Sequence, residues 1–206
     1  MQKLILVDNK MELADEWSKQ FSDLIESDTV EVHGQVDIMT FEGDAVVSPA
    51  NSFGFMDGGI DLIYSLNMGW EVMYMLQAKI RGEFDGELLV GQHTVVPTGY
   101  GRYPNLLVVP TMREPKRLVD TDNVYLASKA LFLAMRKHPE LKTVVCPGLG
   151  TGTGGVSPAE CARVMRMAYD NWYLGEAVEN GVMSPRNLME VFEMCAKQKT
   201  NGEGKN

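Results

Sequence analysis

The chain of 206 residues is long enough for one large or two small domains, and a chain of this size buries an ordinary core without disulfides or metal. Hydrophobic residues make up 45% and charged residues 23%, which excludes a disordered or collagen-like chain. With 19 Lys and Arg against 28 Asp and Glu, the net charge of -9 offers no general field for a nucleic-acid backbone, although backbone N–H groups can still hold one small anion.

No apolar run approaches the ~20 residues that span a bilayer. Met1 to Val7 meets Asp8 at once, which is too short for the apolar region of a secretory signal. Cys146, Cys161 and Cys195 form no CxxC, arguing against a disulfide framework or a structural zinc site and for a reduced, cytoplasmic protein.

In chain order, Leu4-Ile5-Leu6-Val7 predicts a strand, and Leu13, Trp17, Phe21, Leu24 and Ile25 share one face of a following helix. Thr29 to Val32 and Ala45 to Val47 are the next strands, and Ile60 to Arg81 reads as helical with a break at Met68-Gly69. Thr94 to Val96 and Leu106 to Val109 should end at Pro97 and Pro110, because proline donates nothing to a ladder. Asp122 to Lys137 is a helix stopped by His138-Pro139, and Thr143 to Cys146 is a buried strand. Ser157, Pro158 and Glu160 spell a capping box that opens a further helix. Alternating strands and helices predict an α/β fold with a sheet covered on both faces. One domain over residues 1–175 is the simplest division. Residues 176–206 form an extension, with a helix carrying Leu188, Val191, Phe192 and Cys195 and a polar tail from Lys197.

Two loops carry the chemistry. Gly148, Gly150, Gly152, Gly154 and Gly155 lie between a strand and a capped helix, where converging N–H groups favour phosphate. The dinucleotide fingerprint fits the spacing but fails on context, since no strand with an acidic end follows, and no Lys-Ser/Thr pair makes a P-loop. A connection that merely needs positive φ is the alternative. Upstream, the strand from Asp44 delivers Asn51 to its C-terminal end, and Gly58-Gly59-Ile60-Asp61 turns into a helix. Asn51 offers a donor and an acceptor to a sugar hydroxyl pair, or equally to its own backbone in a turn.

These residues resemble the macro domains, which bind ADP-ribose. Asp37-Ile38 falls on the family's DI, Asp44 to Asn51 on its DAIVNAAN strand, Gly58 to Asp61 on the end of its first loop, and Gly148 to Gly155 on its second. Val36, Ser48-Pro49 and Met56-Asp57 depart from the pattern. The resemblance implies a three-layer α/β/α sandwich with a mixed central sheet. It implies that Asp37 accepts from the adenine amino group, with Ile38 beside it. Gly58, Gly59 and Ile60, together with Gly148, Leu149, Gly150, Thr151, Gly152, Thr153 and Gly154, would wrap the diphosphate, and Asn51 would hold the distal ribose. Tyr169, Trp172 or Tyr173 would be the aromatic for the adenine, with packing on a helix face as the alternative.

Three functions follow: a module binding ADP-ribose or an ADP-ribosylated protein; a hydrolase releasing ADP-ribose or acting on ADP-ribose 1''-phosphate, with Asn51 and Asp61 as its catalytic pair; or a scaffold without ligand. No cofactor is implied. His33, His93 and His138 are scattered, so no metal site is expected. Cys146 reads as an inert core thiol, and Arg113 to Arg117 as a solvated charged loop near the cleft.

Overall fold

The computed structural model describes residues 2–174, 178–179 and 182–183. Strands β1 (Lys3–Asp8), β2 (Val30–Gly34), β3 (Ala45–Ser48), β4 (Thr94–Tyr100), β5 (Tyr103–Val108) and β6 (Thr143–Cys146) form one sheet in the order β2-β1-β6-β3-β5-β4. All neighbours are parallel except β4, which runs antiparallel to β5 at the edge. The sheet is therefore mixed, with the architecture of an α/β/α sandwich.

The period of two in the strands divides the core into two layers. Leu4, Leu6, Ala45, Val47, Leu107, Val144 and Cys146 face α1 (Met11–Gln20), α5 (Asn123–Lys137) and α6 (Pro158–Ala168), where Trp17, Phe132 and Met165 are fully buried. The intervening Ile5, Val7, Val46, Leu106, Val108 and Val145 face α3 (Gly59–Met68) and α4 (Glu71–Glu83), packing on Tyr64, Leu76 and Ile80. Burying each Val, Leu, Ile, Phe or Met side chain among these stabilises the fold by about 1.5–3 kcal/mol.

Several expectations are corrected. The first helix ends at Gln20, and Phe21, although fully buried, sits between it and α2 (Ser22–Glu26), so the shared apolar face is cut by a turn. β4 continues through Pro97, because an edge strand tolerates a missing N–H, and the ladder shifts register before Tyr100. β5 does stop before Pro110. The break at Gly69 is present, with φ 94 at the C-cap of α3.

The Ser157 side chain accepts from the Glu160 N–H at 3.2 Å, as the capping sequence requires. Past α6, Tyr169 to Tyr173 form a π-helical turn rather than an adenine platform. Tyr169 meets Phe21 and Phe132 edge-on and stacks on Tyr173, while the Trp172 indole donates to the Tyr125 hydroxyl at 2.9 Å. No described residue after α6 adds a strand to the large sheet; β7 (Val178–Glu179) and β8 (Val182–Met183) pair only with each other. The helix expected from Ser184 to Cys195 lies outside the described residues.

Candidate functional site

The strands β1, β2, β3 and β6 end along one edge, at Asp8, Gly34, Ser48 and Cys146. Loops leaving a parallel sheet at its carboxyl edge are where ligands bind. Here they enclose a cavity of about 930 Å3. Into its wall come Asp37, Ile38, Asn51, Gly58, Gly59, Ile60, Asp61, Gly148 and the run from Gly150 to Gly154. Leu149 is fully buried behind them and is absent from the wall. Thus the two glycine loops, remote in sequence, face one space.

The second loop is shaped by its glycines in different ways. Gly150 has φ 71, in the region that favours glycine. At Gly148 a Cβ would fall 2.7 Å from Leu13, and at Gly154 one would fall 2.5 Å from the Gly150 carbonyl oxygen. Gly152 differs: a Cβ there meets nothing within 4 Å, and its φ lies outside the left-handed region. Gly154→Ala is therefore expected to lower unfolding stability by about 1–3 kcal/mol, measured by denaturant melting, because the backbone oxygen cannot give way.

The backbone N–H groups from Gly150 to Gly154 find no protein acceptor among the described residues; within this loop only Gly155 and Val156 donate back to it, to Gly152 and Gly150. Across the cavity, Gly58 caps α3 without a side chain, leaving the first-turn N–H groups of that helix unpaired. Unpaired N–H groups arranged in this way can hold an anion without a positive side chain in contact. Among the described residues Lys10 is the single Lys or Arg in the wall, against Asp8, Asp37, Asp57 and Asp61.

Asp37 is exposed, and one carboxylate oxygen accepts from the Met39 N–H at 2.9 Å, capping the short 3-10 turn Ile38–Thr40. Its other oxygen has no protein hydrogen bond among the described residues, and Asp37 lines the cavity. Asn51 is spent mainly on its own loop: its Nδ2 donates to the Phe55 carbonyl at 2.8 Å, and its Oδ1 accepts from Phe53 and Phe55. That is the turn role its residue type alone suggests, and it leaves one amide hydrogen for a ligand.

Asp61, in the first turn of α3, is only 7% exposed. Ser48 Oγ donates to its Oδ1 at 2.6 Å. Burial pushes the Asp61 carboxyl up to about 7, against the Ser48 bond, which favours the charged form. An ordinary carboxyl in the first turn of a helix would keep its usual value; burial is what sets this one apart. The departures from the family pattern are absorbed by the fold. Ser48 becomes the partner of Asp61, and Met56 is fully buried with its carbonyl accepting from Ser65 Oγ at 2.8 Å.

Sequence reasoning passed over three groups. Asp8 reads only as the end of a strand, yet it lines the cavity. Gln35 adopts φ 57 and turns the chain from β2 toward Asp37. The segment after β5 ties both loops together: Thr111 N–H donates to Ala50, Ser52 N–H to Met112, and Leu118 N–H to Gly154, at 2.8–3.0 Å. Within the Arg113 to Arg117 cluster, Pro115 lines the cavity, Arg113 pairs with Glu87 at 2.7 Å, and Arg117 lies over Gly155. Pro110 after an apolar strand was the one available hint of this strap.

Cys146 and Cys161 are buried thiols with pKa values pushed up, that of Cys161 to about 12, by burial. Among the described residues no group of three or more His, Cys, Asp or Glu is placed to hold a metal ion, and no helix is long and apolar enough to cross a membrane.

A family model for the Macro domain matches residues 47–165. The chain therefore belongs to the macro domain family. An uncharacterized protein of Aquifex aeolicus is 30% identical over 128 residues, covering 62% of this chain and 73% of that one. Among solved structures, the macrodomain of Mycobacterium tuberculosis DarG superposes with a TM-score of 0.57 at 21% identity, over 66% of this chain and 87% of that one. Thermosipho africanus DarTG in complex with ADP-ribose gives 0.55 at 16% identity, over 72% of this chain and 39% of that longer one.

Proposed function

We propose that this macro domain binds ADP-ribose, free or attached to a protein, in the cavity between its two glycine loops. The carrying observation is that two separate sets of unpaired N–H groups, from Gly150 to Gly154 and in the first turn of α3, face one space of nucleotide size. A diphosphate held by neutral amides is compatible with a net charge of -9. The fold relative from Thermosipho africanus, solved with ADP-ribose, supports the same ligand class. In this reading Asp37 accepts from the adenine amino group, Ile38 flanks the base, and Asn51 offers its remaining N–H near the distal ribose.

Calorimetry with ADP-ribose tests the reading; heat with saturation is expected, and none at millimolar ligand would remove it. Asp37→Ala is expected to weaken ADP-ribose by the ~1.5–3 kcal/mol of a charge-assisted hydrogen bond while leaving ribose 5-phosphate unchanged. Equal losses for both ligands would mean that the variant acts by releasing the Met39 cap rather than by losing the base.

A second reading, hydrolysis of an ADP-ribosyl bond, is favoured by one observation: Asp61 is buried in the cavity wall with a carboxyl that titrates near neutrality. In that reading Asp61 draws a proton from a water held beside the distal ribose, a task for which a base poised near the working pH is suited. Release of ADP-ribose from a modified protein, lost in Asp61→Asn with binding retained, is the expected result.

A further inference from the structure

Taking the cleft as an ADP-ribose site, as proposed above, the base lies at Asp37 and the diphosphate at the loop from Gly148 to Gly154. The adenosine ribose then falls between them, and Asp8 occupies that interval. Asp8 ends β1, pairs with Gly34 at the end of β2, and accepts at its carbonyl from the Val36 N–H at 3.4 Å. Its carboxylate accepts from the Lys10 N–H at 2.9 Å and lies against Gly148, where a Cβ would fall 2.9 Å from its Oδ2. One residue thus touches both the segment leading to Asp37 and the first residue of the phosphate loop.

We propose that Asp8 reads the adenosine ribose, accepting from its hydroxyl edge and excluding ligands that carry a phosphate on that ring. A carboxylate has about four lone-pair sites, and the Lys10 amide fills one of them. The others remain for the cavity that Asp8 lines. Partial burial draws the carboxyl out of bulk water and pushes it upward, while the Lys10 amide fixes its position and, with the neighbouring Gly148 backbone, favours its ionised form. Like charge against a phosphate is repelled more strongly in such a wall than at the surface. The exposed Lys10 favours the ionised form of Asp8, and solvent screens its own attraction for a phosphate more than it screens the partly buried carboxylate. The logic is the one by which an acid at a strand end prefers a free ribose diol in other nucleotide folds.

The test is titration of the full chain with ADP-ribose, its adenosine 2'-phosphate, and its adenosine 2'-deoxy and 3'-deoxy analogues. The 2'-phosphate is expected to bind at least about tenfold more weakly than ADP-ribose. At least one deoxy analogue should lose about tenfold, as expected for a hydrogen bond to a charged group. Asp8→Asn, nearly isosteric, should narrow the ratio of ADP-ribose to 2'-phosphate affinity at least about fivefold. Because both ligands are measured on one variant, any loss of folded protein scales both alike. If Asp8→Asn does not fold, the deoxy series on the parent chain decides. Equal binding of the 2'-phosphate, full affinity of both deoxy analogues, or an unchanged ratio in Asp8→Asn would each overturn the role of Asp8 while leaving the ADP-ribose site standing. Failure of ADP-ribose itself to bind would remove the site and this inference together.

Discussion

Gly152→Val is expected to abolish ADP-ribose binding, by at least about a hundredfold, and to leave the unfolding transition where it is in the parent chain. The expectation rests on what distinguishes Gly152 from its neighbours. Its Cβ direction is open for 4 Å, and its φ is one that other residues adopt, so the fold accepts a side chain. Yet Gly152 lies in the cavity wall, between N–H groups that have no protein partner. A branched side chain there keeps a phosphate from the amides it needs, and several charge-assisted hydrogen bonds are lost at once, each worth about 1.5–3 kcal/mol. Gly154→Ala is the contrasting variant, since it fails through stability. Binding retained in Gly152→Val, with melting unchanged, would place the anion elsewhere.

That contrast shows what a single sequence can carry. The glycines of the second loop are equivalent as letters between a strand and Ser157, and the strand, loop and cap were all legible because each is local. Whether a given glycine is needed for φ, for packing or for a ligand depends on Leu13, Leu118 and Arg117, which approach from remote parts of the chain. The same holds for Asp8, whose strand-end position gave no sign that Gly148 would come beside it.

The strap from Thr111 to Leu118 was invisible for a related reason. Its bonds to Ala50, Ser52 and Gly154 are made by backbone groups, which carry no residue signature. Asn51 was misleading in the opposite sense: the residue type permitted both a ribose and a turn, and local geometry gave most of its side chain to the turn. Pro97 misled because proline forbids a central strand but not an edge, and sheet order is not a local property.

Asp61 is where the sequence and the structure differ most in consequence. As an ordinary carboxylate it would be ionised throughout pH 6–8, and any turnover would be flat across that range. Burial instead sets its carboxyl at about 7 in the folded chain, against about 3.9 when unfolded. The folded state therefore holds this proton more tightly. The stability Asp61 contributes through its proton is full below about pH 4, declines as pH rises from there to about 7, and is gone above it, a change of about 4 kcal/mol.

Asp61→Asn keeps an acceptor for Ser48 and has no proton to lose. It is expected to match the parent in denaturant melts near pH 4 and to exceed it clearly at pH 8; the same difference at both values would show an ordinary carboxyl. If the site hydrolyses, the rate should rise through a single proton loss centred near pH 7 and then level, because only the ionised form takes a proton from water. Among the described residues, no histidine or cysteine lines the cavity to mimic that curve. Ser48→Ala supplies the sharper check. The Ser48 hydroxyl opposes the burial effect, so its removal should move the midpoint to higher pH, where a structural role for Ser48 would lower the rate without shifting the curve.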